Sequence, residues 1–261
     1  MSLTLNSTEE LLGYTVAKDL LAGQVILVTG AGSGLGREIA RACAAHGATV
    51  ILLGRTIKKL EMVYDSIVAA GHPEPAIYPM NLEGAAWNNY EELAATLQTE
   101  FGRLDGLVNN AVHFESLKPM AETTPPDWMK HLHINLNASL FMTQVCLGLL
   151  NASDNGSVIF MSDSAGAQAK PFWGPYAVAK AGLDCLSQLW AGELRNTGLR
   201  MNSLDPGPVK SKLHELAYPA AASNSFRQPQ EVLPAILYLL GRDSEHVSGK
   251  RLVIEAPTQQ V

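Results

Sequence analysis

Cysteine and basic residues are both scarce in this chain of 261 residues. Cys43, Cys146 and Cys185 are too few and too widely spaced for a disulfide framework or a CxxC metal or redox site, which favours a reducing compartment. There are 19 Lys and Arg against 25 Asp and Glu, so the net charge is −6, and no basic cluster is present. Because binding to polyanions needs a basic face, neither nucleic acid nor a membrane surface is an expected partner.

Signals for targeting are lacking as well. The N-terminus places Glu9 and Glu10 before any apolar run and has no basic start, so it does not resemble a secretory signal. Residues 132–153 carry no charged side chain, but polar residues interrupt this stretch, which is therefore a poor membrane span. We expect a cytoplasmic protein. The 47% of hydrophobic residues against 17% of charged ones indicates much buried surface, part of it in an oligomer interface.

Short apolar runs alternate with segments of helical periodicity along the chain, and they predict seven strands joined by helices. The predicted strands are 24–29, 48–53, 76–78, 106–109, 157–161, 200–204 and 251–254. The predicted helices are 35–46, 57–70, 91–101, 126–150, 176–196 and 229–241. Helical crossovers require parallel strands with helices on both faces. The sequence thus predicts a doubly wound α/β sheet in one domain, residues 1–261, with an N-terminal extension at 1–18.

A glycine-rich turn follows the first predicted strand and opens the first long helix. It reads Thr29-Gly30-Ala31-Gly32-Ser33-Gly34-Leu35-Gly36. Glycines allow a pyrophosphate to approach a helix N-terminus, where unpaired N–H groups and the helix dipole favour an anion. A strand before such a turn and a helix after it are the context that supports dinucleotide binding.

The end of the second predicted strand bears on the choice between NAD and NADP. A site for a free ribose 2′-hydroxyl usually has Asp or Glu about 20 residues after the glycine turn. Here the strand ends in Leu53-Gly54-Arg55, and a guanidinium can pair with a 2′-phosphate. This favours NADP(H) over NAD(H), although Arg55 would also fit as a solvated residue at the start of a helix.

A phenol and an ammonium group stand one helical turn apart after the fifth predicted strand. Tyr176 and Lys180 share a helix face at this spacing. A neighbouring cation stabilises a phenolate and lowers its pKa towards neutral pH, which suits proton transfer to a carbonyl oxygen. Ligands of open α/β sheets bind beyond the carboxyl ends of the strands, where this pair is expected.

Taken together, these motifs resemble the short-chain dehydrogenase/reductase family in identity and order over nearly the whole chain. The shared motifs are Thr29-Gly30-x-x-x-Gly34-x-Gly36, Asn109-Asn110-Ala111, Asn135, Tyr176-x-x-x-Lys180 and Asn202-x-x-x-Pro206-Gly207. The resemblance implies a Rossmann fold and a homodimer or homotetramer built on the two long helices.

The resemblance also assigns roles to residues. It makes Tyr176 the general acid/base, lets Lys180 hold the nicotinamide ribose and lower the tyrosine pKa, and gives Asn135 a water in a proton relay. The implied cofactor-binding residues, with Arg55 added from the argument above, are Gly30, Ser33, Gly34, Leu35, Gly36, Arg55, Asn81, Leu82, Asn109, Ala111, Tyr176, Lys180, Pro206, Gly207, Val209 and Ser211. No metal is expected.

Two departures from the family pattern lie near the expected dinucleotide. Val112 replaces the glycine that normally follows Ala111 and adds bulk there. Asn81 stands where the family has an aspartate at the adenine, and an amide can still form a hydrogen bond at that point.

The third departure concerns the substrate. The family's substrate-polarising serine lies 13 residues before the tyrosine, and this position is Asp163, between Ser162 and Ser164. An ionised carboxylate cannot donate a hydrogen bond to a carbonyl and repels a developing oxyanion. Either a backbone slip presents Ser164 or Ser162, or Asp163 is protonated, or the substrate is cationic, or Asp163 points away from the site. We favour Ser164.

The sequence thus predicts an oxidoreductase that moves a hydride between NADP(H) and a carbonyl or secondary alcohol. The rival interpretation is a family member that binds NADP and has lost turnover, because of Asp163 and Val112. Residues 211–230 are expected to form a substrate lid, and Phe114 and Trp173 are candidates for the pocket wall. The substrate is a small molecule that the sequence does not identify.

Overall fold

The computed structural model describes residue 5, residues 7–221 and residues 226–256. Residues 222–225 of the predicted lid, and residues 1–4 and 6 of the predicted N-terminal extension, lie outside this range. The described strands are β1 (Val25–Thr29), β2 (Thr49–Gly54), β3 (Ala76–Pro79), β4 (Gly106–Asn109), β5 (Ser157–Met161), β6 (Arg200–Asp205) and β7 (Arg251–Val253). They form one parallel sheet in the order β3-β2-β1-β4-β5-β6-β7, which confirms the predicted fold class.

The strand order reverses at β1, and this reversal sets where ligands can bind. β2 pairs on one side of β1 and β4 on the other, with Val28 opposite both Leu52 and Val108. The chain therefore leaves the carboxyl ends of β1 and β4 in opposite directions and opens a crevice between them.

Helices cover both faces of the sheet. They are α1 (Thr8–Leu12), α2 (Gly34–Ala45), α3 (Ile57–Ala69), α4 (Trp87–Glu100), α5 (Pro125–Leu132), α6 (Ala138–Asn151), α7 (Ser164–Gln168), α8 (Gly174–Glu193), α9 (Lys212–Ala217) and α10 (Leu233–Leu240). Short 3₁₀ segments occupy Met120–Glu122, Pro229–Val232 and Arg242–Ser244. None of the helices within the described ranges has the length and apolar content needed to cross a bilayer.

Two predicted helices are interrupted, each for a local reason. The helix expected at 126–150 is split by a π-helical turn, His133–Asn137, which widens the helix by one residue where Asn135 bonds to a neighbouring loop. The helix expected at 229–241 begins as a 3₁₀ turn, and α10 starts only at Leu233. Pro234 lacks an N–H and fits only the first turn of an α-helix.

The inner strands β1, β2, β4, β5 and β6 are largely buried on both faces, as parallel strands between two helix layers must be, whereas the edge strands β3 and β7 are partly exposed. On β1, Ile26 and Val28 face the layer of α2, α3 and α10, while Leu27 faces the layer of α4, α6 and α8. This alternation explains why the strands appear in the sequence as continuous apolar runs rather than as alternating ones.

A buried carboxylate joins three elements at the amino edge of the sheet. Asp105 accepts hydrogen bonds from the Val25 N–H at 2.8 Å, from the Ser153 hydroxyl at 2.5 Å and from Arg103 Nε at 3.1 Å. It is 5% exposed, so its charge is offset mainly by these donors.

We expect Asp105→Ala to lower the free energy of unfolding by about 3 kcal/mol, because it leaves a buried N–H and a guanidinium without their acceptor. Urea unfolding of the two proteins measures the difference. The matched control is the exposed Asp154→Ala, for which a change within about 0.5 kcal/mol is expected. Equal losses in the two variants would contradict a stabilising role for the Asp105 bonds.

Candidate active site at the carboxyl edge of the sheet

Thr29, the last residue of β1, links the two strands that border the crevice. Its hydroxyl accepts hydrogen bonds from the N–H groups of Asn110 and Ala111, both at 3.0 Å, and its carbonyl oxygen accepts one from the Asn110 side-chain amide at 3.0 Å. The loop after β4 is therefore held against the glycine turn after β1.

The glycine turn requires glycine for two reasons: Gly36 has no space for a side chain, and Gly30 and Gly34 have positive φ values. A Cβ on Gly36 would lie 2.4 Å from both the Gly30 carbonyl oxygen and the Asn110 side-chain nitrogen. Gly30 and Gly34 have φ values of +70° and +55°, a left-handed region in which side chains are strained. The turn thus exposes backbone to the crevice.

The N-terminus of α2 fits an anion such as a pyrophosphate. Ser33 stands at the N-cap, but its hydroxyl accepts no capping bond from the described residues, and the first turn contains no Asp or Glu. A Cβ on Gly34 would meet no atom within 4 Å, so the space beside it is open. Free N–H groups and an open approach are what an anion at a helix N-terminus requires.

A second positive region lies beside this turn, at the start of α3. Arg55 is exposed after β2 and has no ion-pair partner among the described residues. Thr56 caps α3 without a side-chain hydrogen bond to described residues, and Lys58 and Lys59 lie in the first turn, where cations oppose the helix dipole. Gly32 lies against Lys59, since a Cβ on Gly32 would be 3.1 Å from the Lys59 Cβ. Sequence reasoning identified Arg55 but missed both lysines.

The other predicted adenosine-side residues differ in what their side chains do. Asn81 is exposed after β3, and its Oδ1 accepts the Glu83 N–H at 3.3 Å, whereas Leu82 is largely buried in the core. Asn109 is buried and donates to the Thr143 hydroxyl at 3.2 Å. The Asn109 side chain is therefore engaged within the fold. Val112 is 45% exposed.

The segment after β6 also leaves the carboxyl edge of the sheet. Gly207 has a φ of +66°, and a Cβ there would lie 2.2 Å from the Ile254 carbonyl oxygen. Val209 is buried and pairs with Arg227 in an isolated bridge. The Ser211 hydroxyl caps α9 by accepting the His214 N–H at 3.3 Å, so part of its hydrogen-bonding capacity is already used within the chain.

Tyr176, Lys180 and Asp163 come together between β5 and α8. The Tyr176 hydroxyl donates to Asp163 Oδ2 at 2.9 Å, and Lys180 Nζ donates to the Met161 carbonyl oxygen at 2.5 Å. Lys180 Nζ lies 5.6 Å from the centre of the Tyr176 ring. Both Tyr176 and Lys180 are only 3% exposed.

The expected backbone slip towards Ser164 does not occur: Asp163 faces the tyrosine. Asp163 is the N-cap of α7, where its Oδ1 accepts the Ala165 N–H at 2.8 Å, and this bond aims Oδ2 at Tyr176. The Ser164 hydroxyl instead lies 3.4 Å from Lys170 Nζ, and the buried Ser162 hydroxyl has no hydrogen-bond partner in the described chain. Gly166 keeps α7 against α8, since a Cβ there would be 2.6 Å from the Ala181 nitrogen.

This carboxylate changes the expected direction of the tyrosine pKa. Burial, and then the negative charge and hydrogen bond of Asp163, raise the pKa of Tyr176 well above its usual value. Burial lowers the pKa of Lys180 to about 8, although the charges of Asp163, Asp184 and Asp205 oppose that shift. The expectation that Lys180 brings Tyr176 towards neutral pH is therefore not met in this structure, because a carboxylate contacts the phenol directly.

Asn135 lies in the π-helical turn and organises the loop after β4. Its Oδ1 accepts the His113 N–H at 2.6 Å, and its Nδ2 donates to the His113 carbonyl oxygen at 2.8 Å. Among the described residues, then, both ends of the amide are used to hold this loop. The next residue, Phe114, is thereby placed beside Tyr176, with ring centres 5.4 Å apart.

A cluster of aromatic rings from three segments packs on the Tyr176 ring: the loop after β4, the start of α8, and α9 with the residue that follows it. Trp173 stands 5.3 Å from Tyr176, 5.4 Å from Phe114 and 5.9 Å from Tyr218, between ring centres. His214 stacks on Tyr218 at 6.3 Å. Phe114 and Trp173 were candidates from sequence, but His214 was missed, and no local pattern marks it. In the described chain, no group of three or more His, Cys, Asp or Glu is placed to hold a metal ion.

The lowered pKa of Lys180 predicts a pH-dependent stability. The lysine pKa is about 8 in the folded chain and near 10.5 in the unfolded chain, so the unfolded chain binds more protons between these two pH values. Below about pH 8 the folded chain bears the full cost of burying a charged Lys180. As the pH rises to about 10.5, Lys180 loses its proton and this cost disappears. Over that pH range, the free energy of unfolding of wild type should rise by up to about 3 kcal/mol relative to that of Lys180→Met. Urea unfolding at several pH values measures this gain, and the exposed Lys250→Met is the control. If the free energies of unfolding of wild type and Lys180→Met change in parallel with pH, the prediction is wrong.

Comparisons with known proteins agree with this geometry. A family profile described as short chain dehydrogenase matches residues 24–220. The chain is 36% identical over 236 residues to YciK of Escherichia coli K12, named as an uncharacterized oxidoreductase, covering 90% of this chain and 93% of YciK. It is 31% identical to the 3-oxoacyl-[acyl-carrier-protein] reductase FabG of Thermotoga maritima over 245 residues, covering 90% of this chain and 97% of FabG.

Solved structures show the same relationship. The structure of YciK from E. coli superposes with a TM-score of 0.90 at 35% identity, covering 93% of this chain and 99% of YciK. A second structure, from E. coli CFT073 and complexed with NADPH, superposes with a TM-score of 0.89 at 35% identity and covers 92% of this chain and 99% of its own. With the glycine turn, the parallel sheet and the Tyr176–Lys180 pair in place, these matches show that the chain belongs to the short-chain dehydrogenase/reductase family of oxidoreductases.

Proposed function

We propose that this protein moves a hydride between NADP(H) and a polarised double bond, C=O or C=N, of a small molecule, with Tyr176 as the proton donor or acceptor. The observation that carries the proposal is the Tyr176 hydroxyl, buried beside Lys180 at the crevice where the glycine turn and α2 fit a dinucleotide. The reduced nicotinamide supplies the hydride, and the chain positions the substrate and moves the proton.

The residues fit the cofactor in two parts. The uncapped N-terminus of α2, with Gly30, Ser33, Gly34, Leu35 and Gly36, suits the pyrophosphate. Arg55, Lys58 and Lys59 place three cations at the uncapped start of α3, beside Gly32. A 2′-phosphate there would receive charge-assisted hydrogen bonds and relieve the repulsion between the lysines and the helix dipole. This supports a preference for NADP(H).

Tyr176 holds the proton that reduction consumes, although its raised pKa makes it a weaker acid than a free tyrosine. With its pKa raised, the hydroxyl carries its proton at neutral pH, as reduction requires. Donation leaves a phenolate beside Asp163, and Lys180 supplies the positive charge that offsets it. We assign Asn135 the task of holding the loop at His113, so that Phe114 and Tyr176 keep their spacing. Ser162 and Ser164 have no assigned step.

We also infer a homodimer or homotetramer. Apolar side chains are exposed on the helices that lie side by side on the outer face, with Met129 of α5 62% exposed and Leu189 and Val178 of α8 57% and 41% exposed. Such a patch is unfavourable in water and suits contact with a second copy.

Tyr176→Phe tests the proton-transfer role. We expect turnover of carbonyl compounds and neutral imines to fall by about a hundredfold or more, because general acid catalysis is lost, while NADPH binding stays within about twofold. NADPH oxidation is measured over a panel of aldehydes, ketones, quinones and imines, and NADPH affinity by titration of intrinsic fluorescence. Tyr64→Phe, which removes a hydroxyl on α3 bonded to Glu74, is the matched control. Unchanged turnover in Tyr176→Phe would contradict the role of Tyr176 in proton transfer.

If NADPH binds and no substrate of the panel is reduced, the rival interpretation, a family member that has lost turnover, is favoured.

Arg55→Ala tests the choice of cofactor. NADPH affinity should fall by about tenfold to a hundredfold, the value of one lost charge-assisted pair, while NADH affinity stays nearly constant. The control is Arg195→Ala, an exposed arginine just beyond the end of α8. Tighter binding of NADH than of NADPH by wild type would overturn the preference.

A further inference from the structure

Asp163 still has capacity to bind a substrate. One carboxylate oxygen accepts the Ala165 N–H at 2.8 Å and the other accepts the Tyr176 hydroxyl at 2.9 Å. These are neutral donors, and Asp163 forms no ion pair within the described part of the chain. A carboxylate has about four lone-pair sites, so Oδ2 can accept a further bond beside the hydroxyl that transfers the proton.

A carboxylate at this point disfavours one class of hydride acceptor. When a hydride adds to a carbonyl carbon, negative charge develops on the oxygen, and here it would develop next to Oδ2 of Asp163. When a hydride adds to a protonated or alkylated C=N group, the nitrogen loses its positive charge and no anion forms. The neighbouring carboxylate also raises the protonated fraction of an imine, which is the reactive form.

The walls of the site favour the same class of molecule. The rings of Phe114 and Trp173 pack against the Tyr176 ring, with centres 5.4 and 5.3 Å from it. Tyr218 extends this aromatic cluster, with its ring centre 5.9 Å from that of Trp173. Aromatic faces attract cations and stack on flat molecules. Besides Tyr176, the titratable groups on which the charge of Asp163 acts are Lys180, whose Nζ is bonded to the Met161 carbonyl, together with His214, Tyr218 and Asp205.

From the Asp163 carboxylate bonded to Tyr176 beside this aromatic cluster, we infer that the hydride acceptor is a planar cation with a C=N bond, a cyclic iminium or protonated imine, and that Asp163 binds its nitrogen. This rests on the proposed function and narrows its substrate class. The carboxylate comes from the end of β5, and the rings come from the loop after β4, the start of α8 and the segment after α9.

The step balances without a further reactant. A hydride from the reduced nicotinamide forms a C–H bond at the iminium carbon, the π electrons of C=N move onto nitrogen, and the products are an amine and NADP⁺. A neutral imine first takes a proton on its nitrogen from Tyr176, which solvent then reprotonates, whereas a permanent iminium needs no proton from Tyr176. Before and during the hydride transfer, Asp163 accepts a hydrogen bond from the N–H of a protonated imine. With an N-alkylated iminium, the carboxylate faces the positively charged nitrogen instead.

Ligand binding tests the inference independently of turnover. The probes are N-methylisoquinolinium, a flat permanent cation, and isoquinoline at a pH where it is neutral, each titrated calorimetrically into the complex with NADP⁺. We expect the cation to bind at least about tenfold more tightly to wild type and this preference to vanish in Asp163→Asn. Asn caps helices as well as Asp does, so α7 is retained. Equal binding of the two probes by wild type would overturn the inference.

Turnover gives the second test. The substrates are N-methyldihydroisoquinolinium and α-tetralone, bicyclic molecules of similar size that differ in the acceptor group. Wild type should reduce the iminium at least about tenfold faster, and Asp163→Ser, which also keeps an N-cap, should shift the ratio towards the ketone by about tenfold or more. A wild-type preference for the ketone, or a ratio unchanged in Asp163→Ser, would overturn the inference.

A charge-matched control separates Asp163 from a general effect. Asp154→Asn removes one exposed carboxylate that lies just before β5, at the opposite end of this strand from the site. It should leave both the ratio of probe affinities and the ratio of reduction rates as in wild type. Failure of the inference and failure of the proposed function are distinguishable. If the ketone is reduced with NADPH as well as the iminium is, only the inference fails, whereas absence of NADPH binding removes the proposed function itself.

Discussion

Parallel pairing of β1 with two neighbours is the constraint on which the rest of this molecule depends. Each crossover returns the chain to the amino edge, so every loop that follows a strand is delivered to the carboxyl edge. The loops after β1 and β4 diverge there, and Thr29 ties them together through three hydrogen bonds. The crevice, the free N-terminus of α2 and the position of Tyr176 all follow from this arrangement.

The second constraint is electrostatic and concerns a small buried cluster. Tyr176 and Lys180 are both removed from water, which opposes charge on either of them, and Asp163 then strengthens the proton affinity of the phenol. The pKa of Asp205 is also raised, chiefly by its own burial. Close approach of α7 to α8 at Gly166 keeps Asp163 within reach of the phenol. The charge state of the site is thus a property of the group and not of the tyrosine alone.

Asp163 combines a structural and a chemical task. As an N-cap it satisfies the Ala165 N–H of α7, and the same geometry turns its second oxygen towards Tyr176. Serine could perform the first task equally well, so capping does not explain why the residue is an acid. Aspartate differs from serine in its negative charge, so the choice of aspartate at this position bears on the substrate rather than on the helix cap.

The sequence by itself determined the order of the seven strands and of the long helices between them, because apolar runs and glycine turns depend on neighbours along the chain, but it did not predict the short helices α1, α7 and α9. Strands β4 and β5 occupy the predicted residues, and the spacing of Tyr176 and Lys180 already placed both on one helix face. The sequence could not show the π-helical turn at Asn135, since the apolar pattern continues through it, nor that the Asn109 side chain is bonded to Thr143.

Only the tertiary structure decided which side chain meets Tyr176 and what surrounds it. Three adjacent polar residues, 162–164, are equivalent by pattern, and packing of α7 against α8 selected Asp163. Phe114, Trp173 and Tyr218 come from segments far apart in sequence and meet through the sheet topology. The direction of the Tyr176 pKa shift likewise depends on burial and on a contact made across the fold, and such quantities are not encoded in local spacing.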